Sequence, residues 1–253
     1  MNQVYNKIIA SKQVGKKRFA LLLDPDKITG KGLLKLVDLA QQATVDFIFV
    51  GGSLLSNGNI DECVSVIKNN STIPVVLFPG DNIHYTSKAD AILFLSLISG
   101  RNPEMLIGKH VVAAPMLKRS GLEILPTGYM LIESGKATSV SYMSNTTPIP
   151  SNKNDIAVCT AMAGEMLGMK LIFMDGGSGA LNPISESMIA DVRKNINVPL
   201  IIGGGICTPE KALLNCQAGA DVIVIGNALE KDTSLLFEMA DAVHSNNFTQ
   251  YTQ

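Results

Sequence analysis

Two segments constrain this chain more than any other. Val198-Pro-Leu-Ile-Ile-Gly-Gly-Gly-Ile-Cys207 and Ala220-Asp-Val-Ile-Val-Ile-Gly-Asn-Ala-Leu229 are both β-branched apolar runs that stop on glycine. Each is followed by a helical pattern. A strand ending on Gly203-Gly204-Gly205 leaves bare backbone N–H groups at the start of the next helix, where no side chain blocks approach and the helix dipole favours an anion. Two such turns in consecutive βα units fit the phosphate grip formed after the last two strands of a (β/α)8 barrel. The pattern points to a phosphorylated small-molecule ligand.

The length of 253 residues suits one (β/α)8 domain spanning 1–253, with no linker dividing it. Apolar residues make up 46% and charged residues 17%, a composition that excludes disorder. The net charge of −1 gives no general field for nucleic acid or an anionic membrane, so a phosphate must be held by local geometry. The four cysteines have no paired spacing and read as small apolar packing groups in a reducing cytoplasm. Met1 to Lys17 lacks the apolar core of a secretory signal. The uncharged run Ala91–Gly100 is far shorter than the ~18 residues of a membrane span. A cytoplasmic, soluble protein is expected.

Seven apolar runs read as strands buried on both faces: 19–24, 46–51, 74–78, 91–95, 170–175, 198–203 and 221–226. Amphipathic helices alternate with them. Thr29 is placed to cap one carrying Leu33, Val37 and Ala40, and Ile156, Cys159, Ala163 and Met166 form a second apolar stripe. The expectation is an α/β TIM barrel. The eighth strand must lie between Lys109 and Glu133, where Val111–Ala114 and Leu122–Leu125 compete; Met130–Glu133, after a Pro126-Thr-Gly turn, reads as an added hairpin. Eleven residues separate Phe78 from Asp90, too few for a crossover helix, so the barrel should be modified around its third βα unit. The Ser-, Thr- and Pro-rich segment 126–150 reads as a loop over the barrel mouth.

Chemistry in such barrels sits at strand C-termini. The first strand leads into Asp24-Pro25-Asp26-Lys27 and the second into Gly51-Gly52-Ser53. Alone, Asp24 reads as a turn residue and Ser53 as a helix cap. Together they offer hard oxygen ligands for Mg²⁺. The sixth strand ends in Phe173-Met174-Asp175-Gly176-Gly177-Ser178-Gly179, a third glycine loop beside the other two. A carboxylate there can orient or deprotonate a ligand hydroxyl, or simply cap the next helix. The histidines, His84, His110 and His244, have no metal-ligand spacing.

The chain resembles geranylgeranylglyceryl phosphate synthase, in the archaeal-type group that also occurs in bacteria. The likeness rests on Leu21-Leu-Leu-Asp-Pro-Asp-Lys27, Phe47-Ile-Phe-Val-Gly-Gly-Ser53, Val76-Leu-Phe-Pro-Gly80, Ala91-Ile-Leu-Phe-Leu-Ser-Leu-Ile-Ser-Gly-Arg-Asn-Pro103, Ile124-Leu-Pro-Thr-Gly-Tyr129, Gly176-Gly-Ser-Gly-Ala180 and the two loops above. It implies Mg²⁺-dependent transfer of a prenyl group from geranylgeranyl diphosphate to the C3 hydroxyl of sn-glycerol 1-phosphate. By resemblance, Asp24 and Ser53 hold the metal, and residues 173–179, Gly204, Gly205, Gly226 and Asn227 hold the glycerol phosphate. Asp175 would then accept the hydroxyl proton. Two positions depart from the family's usual residues: Asp175 stands in place of a glutamate and Phe173 in place of a tyrosine. The resemblance also implies a homo-oligomer, dimer or hexamer, and peripheral contact with a membrane through the lipid product; it carries no nucleic-acid partner. Another prenyl length, a sugar-phosphate isomerase or aldolase, and a non-catalytic phosphate binder are the competing readings.

Overall fold

The computed structural model describes residues 3–245, which form a closed, all-parallel eight-stranded barrel in the order β1 to β8. The strands are β1 (Arg18–Leu23), β2 (Phe47–Val50), β3 (Val75–Leu77), β4 (Ala91–Leu97), β5 (Glu123–Leu131), β6 (Leu171–Asp175), β7 (Leu200–Gly203) and β8 (Val222–Ile225). The helices are α1 (Gln3–Gln13), α2 (Gly30–Gln42), α3 (Ile60–Asn70), α4 (Lys109–Ser120), α5 (Ser139–Ser144), α6 (Asn154–Met166), α7 (Glu186–Asn195), α8 (Pro209–Gln217), α9 (Asn227–Lys231) and α10 (Leu235–Ser245). All seven expected runs are strands. Alternation along each strand divides the core in two. Phe47, Phe49, Leu93, Tyr129 and Phe173 fill the barrel, while Ile48, Ile172, Met174 and Ile202 pack outward against the helices.

An acidic side chain at the base of three of the four even-numbered strands fixes the register. Asp46, just before β2, accepts the Phe19 N–H of β1; Asp90, before β4, accepts Val75 N–H of β3; Asp221, before β8, accepts Leu200 N–H of β7. Each is also paired to a cation, Arg18, Lys68 and Arg193 respectively. Burial alone would raise the Asp46 carboxyl, but His244, the Phe19 amide and Arg18 together hold it below its ordinary value. This end of the barrel is therefore a stability device, leaving the other end for chemistry.

The eighth strand is β5, longer than expected, and Val111–Ala114 lie within α4. No turn forms at Pro126 and no hairpin follows it. Pro126 faces β6, where its carbonyl accepts the Lys170 N–H before the β5–β6 ladder begins at Thr127–Leu171. Its missing N–H thus falls where no strand partner waits, a position at which proline is tolerated. The loop over the mouth consequently starts after Leu131.

The α6 stripe faces the opposite way from that expected. Ala157, Ala161 and Gly164 are buried, whereas Ile156, Cys159, Ala163 and Met166 are exposed. A methyl group on Gly164 would lie 2.8 Å from Ile98 Cδ1 and 3.0 Å from Ile172 Cδ1, so only small residues let the helix lie this close to the sheet. On α2, Leu33, Val37 and Ala40 are buried as expected; Thr29 occupies the N-cap but its side chain makes no capping bond. Cys63 and Cys216 are buried, with thiols pushed up to about 12 chiefly by burial, whereas Cys159 and Cys207 are exposed and so do not pack as expected. No helix bridges β3 and β4. As a result the outward-facing Ile92 and Phe94 of β4 line the cavity, with α4 on its other side.

Candidate active site

The C-terminal ends of the strands surround one cavity of about 830 Å³, within the range of small-molecule sites. It is lined on one side by Asp24, Ser53, Asp175, Gly177, Ser178, Gly179, Gly204, Gly205, Gly226 and Asn227. These positions, from five strand ends, are brought together. Phe173 borders the cavity from below, but Met174 is wholly buried on the outer face of β6 and Gly176 lies behind its neighbours, so neither side of the sheet-end reading extends to them.

The three glycine loops converge. Gly176 N–H donates to the Gly203 carbonyl at 3.1 Å, and Ser178 and Asn227 side chains meet at 3.4–3.5 Å. Gly204 has φ +80°, and a methyl group there would lie 2.5 Å from Gly176 N and 2.6 Å from Asp175 Oδ1. Only glycine allows both the left-handed backbone and this approach of the β7 turn to the end of β6. Main chain from three elements is thereby exposed around one hollow, suited to an oxyanion.

Asp175 is 6% exposed. Its Oδ2 accepts the Tyr129 hydroxyl at 2.6 Å and its Oδ1 accepts the Gly177 N–H at 2.9 Å. Burial pushes the Asp175 carboxyl above its usual range, and the two hydrogen bonds offset only part of that. Burial first, and the adjoining carboxylate second, push the Tyr129 phenol well above its ordinary value, so it stays a donor. A carboxylate with a raised pKa and lone pairs to spare can take a proton from a hydroxyl placed beside it. The helix-cap reading fails, because Ser185 caps α7. Beneath the carboxylate, Phe173 stacks on Phe78 at 5.3 Å and meets Tyr129 edge-on at 5.5 Å, a rigid apolar floor.

Asp24 stands across the cavity. Its Oδ1 accepts the Asp26 N–H at 3.1 Å, as a turn residue would, while Oδ2 lies 3.2 Å from the Lys27 ammonium. Ser53 does not cap α3; Asn59 does. Asp26 ties this loop to the next, accepting from Ser56, Asn57 and Gly58; those backbone bonds hold its carboxyl down at about 2. The donors at Asp24 and Ser53 are all oxygen, as Mg²⁺ prefers. Among the described residues no three His, Cys, Asp or Glu side chains converge as a self-contained metal cage. A cation beside Asp24 would complete its shell with substrate oxygens and water, the usual habit of Mg²⁺.

The far side of the cavity is apolar: Ile92, Phe94, Met105, Met116, Leu117 and Val140. His110 meets Phe94 edge-on at 4.5 Å, and burial lowers its pKa. His84 accepts the Gly80 N–H at 3.2 Å, with burial lowering its pKa too. His244 belongs to the Asp46 network at the other end. Tyr129, which lines the cavity and bonds Asp175, is a candidate that sequence reasoning missed. A signal existed, since Leu125, Tyr129 and Leu131 share the barrel-facing phase of β5, but the assumed turn at Pro126 concealed it.

The PcrB family matches residues 12–245. The chain is 59% identical over 244 residues to a geranylgeranylglyceryl phosphate synthase of Chitinophaga pinensis, covering 96% of this chain and 97% of that one. To the protein of the same name in Thermococcus gammatolerans it is 44% identical over 216 residues, 85% of each chain. Among solved structures, (S)-3-O-geranylgeranylglyceryl phosphate synthase from Thermoplasma acidophilum, in complex with substrate sn-glycerol-1-phosphate, superimposes with a TM-score of 0.89 at 30% identity, covering 96% of this chain and 98% of that one.

Proposed function

Since this chain belongs to the PcrB family, we propose that it is a geranylgeranylglyceryl phosphate synthase, joining sn-glycerol 1-phosphate to geranylgeranyl diphosphate. The observation that carries this reading is the position of Asp175, between a main-chain anion cradle and an apolar arm of the same cavity. The glycine loops bind the glycerol phosphate, and the apolar arm takes the prenyl chain. The C3 hydroxyl oxygen forms a bond to prenyl C1, the bond from C1 to the diphosphate oxygen breaks, and the hydroxyl proton passes to Asp175. Tyr129 holds the carboxylate in orientation throughout. Asp24 and Ser53 would hold Mg²⁺, whose charge, when bound, offsets that of the departing diphosphate.

Several finer points belong to the same proposal. We take the protein to be a homo-oligomer, a reading supported by exposed apolar side chains at the end of α6 and just after it, Met166 at 80% and Leu167 at 75% exposure. Among the described residues no helix is long and apolar enough to cross a membrane. A cytoplasmic enzyme that meets a membrane surface when its lipid product leaves is consistent with that. The test is incubation with labelled sn-glycerol 1-phosphate, geranylgeranyl diphosphate and Mg²⁺. A prenyl ether should form, and Asp175→Asn should lower kcat by about 10²–10⁴, the range for a lost general base. Absence of product from the wild-type protein, or full turnover in Asp175→Asn, would refute the assignment.

A further inference from the structure

We propose that Lys136, on the loop between β5 and α5, supplies the cationic charge that binds the phosphate of the glycerol substrate. This rests on the phosphate-site reading above and adds a residue to it. The cavity is lined by more carboxylates, Asp24, Asp81, Glu104, Asp175 and Asp232, than cations, which are Lys27, Lys109 and Lys136. Lys27 pairs with Asp24 and Lys109 with Asp81. Among the described residues no carboxylate pairs with Lys136. Amide dipoles alone would have to hold a phosphate against this acidic lining, so one uncommitted ammonium changes the balance.

Its position fits the task. A methyl group built on Gly179 would lie 3.8 Å from Lys136 Nζ and 3.8 Å from Asn227 Nδ2. The lysine head therefore reaches the hollow where the β6 and β8 loops meet, not the Asp24 side of the cavity. The segment carrying it is tied to the β6 loop on one flank and packs against it on the other. Asn182 N–H donates to the Ser134 carbonyl at 2.9 Å on one side. On the other, Thr138 Oγ1 stands 2.8 Å from where a Gly177 methyl would be. Lys136 lies midway between these two contacts, so the ammonium is placed above the cradle while its exposed stem keeps freedom to close on the anion.

The experiment uses the full-length protein and Lys136→Met. Binding of sn-glycerol 1-phosphate, and of inorganic phosphate as a second probe, is measured by calorimetry without prenyl substrate, beside KM for each substrate in turnover. Loss of one hydrogen bond to a charged group predicts binding weaker by about ten- to a hundredfold. KM for glycerol phosphate should rise in parallel, KM for the prenyl diphosphate should hold, and Lys136→Arg should restore most of the affinity. Wild-type binding unchanged in Lys136→Met overturns the assignment. So does a rise confined to the prenyl diphosphate KM, which would give the lysine to the diphosphate. Failure of the wild-type protein to bind either anion would remove the phosphate site and the inference with it. Lysine-dependent binding without prenyl transfer would refute only the proposed reaction.

Discussion

Tyr129→Phe removes a single oxygen from a buried pair and leaves the ring, with its contacts to Phe78 and Phe173, in place. The hydroxyl donates to Asp175 Oδ2 at 2.6 Å, and neither side chain is more than 6% exposed. A hydrogen bond to a charged acceptor is worth roughly 1.5–3 kcal/mol. That energy favours the ionised carboxylate over the neutral acid, so its loss raises an Asp175 pKa that burial has already raised. The sign follows directly. A base must be ionised to take a proton, and a higher pKa leaves less of it ionised at a given pH. The acid limb of the kcat/KM profile should therefore move to higher pH. At a fixed pH on that limb the rate should fall by about ten- to a hundredfold, since each 1.4 kcal/mol is a factor of ten. On the alkaline plateau, where both proteins are ionised, the rates should converge. Steady-state kinetics across pH with saturating prenyl diphosphate reads this. An unmoved limb, or one displaced to lower pH, would show that Tyr129 does not act through Asp175.

The cradle, the metal and the barrel base each give one further expectation. Gly204→Ala places a methyl 2.5 Å from Gly176 N at φ +80°; it should weaken sn-glycerol 1-phosphate binding at least about tenfold, and unaltered affinity by calorimetry would refute the convergence of the loops. Asp24→Asn should raise the Mg²⁺ concentration for half-maximal activity by about tenfold or more, leaving glycerol phosphate binding intact; an unchanged magnesium titration removes Asp24 as a ligand. Asp46→Asn should cost on the order of 2 kcal/mol near neutral pH, the partial exposure of Arg18 screening the rest. Because the Asp46 carboxyl is held low in the fold, its stabilisation is present above the unfolded value of ~3.9 and is lost as pH falls through the folded one. Thermal melts of wild type and variant should draw together progressively as pH is lowered from about 4, and a constant gap would contradict that linkage.

What could be read from the residues depended on whether a feature is carried by a single element. Buried parallel strands announce themselves as continuous apolar runs, and Gly203–Gly205 exposes main chain wherever the chain goes next, so both barrel and cradle were legible. The strand through Pro126 and Gly128 was not. Its tolerance of proline depends on Lys170 arriving a residue before β6 begins to pair, a tertiary fact. The face of α6 was misread for a different reason. Hydropathy ranks Ile156 and Met166 above Ala157, Ala161 and Gly164, yet the close approach to Ile98 and Ile172 selects by size. Tyr129 and Lys136 share a third cause: each acts on a group of another element, across the β5–β6 ladder or from the loop above it.

The two ends of the cavity arise from separate departures from a regular barrel, and this separation accounts for two unlike substrates in one site. On the β6–β8 side, glycine strips the strand ends to amides, giving a surface for a small, doubly charged group. On the β3–β4 side, the missing helix leaves Ile92 and Phe94 lining the cavity, so β4 contributes both faces: Leu93 and Leu97 from inside the barrel, Ile92 and Phe94 from outside. A regular crossover helix there would fill the apolar arm, yet it would lie on the opposite side of the barrel from the cradle. Asp175 and Tyr129 sit on β6 and β5, the strands between these regions, where a buried carboxylate and its phenol donor meet at the top of the barrel interior. The position of the base is thus dictated by strand order. Only a group on these middle strands faces both the anion hollow and the start of the apolar arm, where an alcohol and an allylic carbon would have to meet.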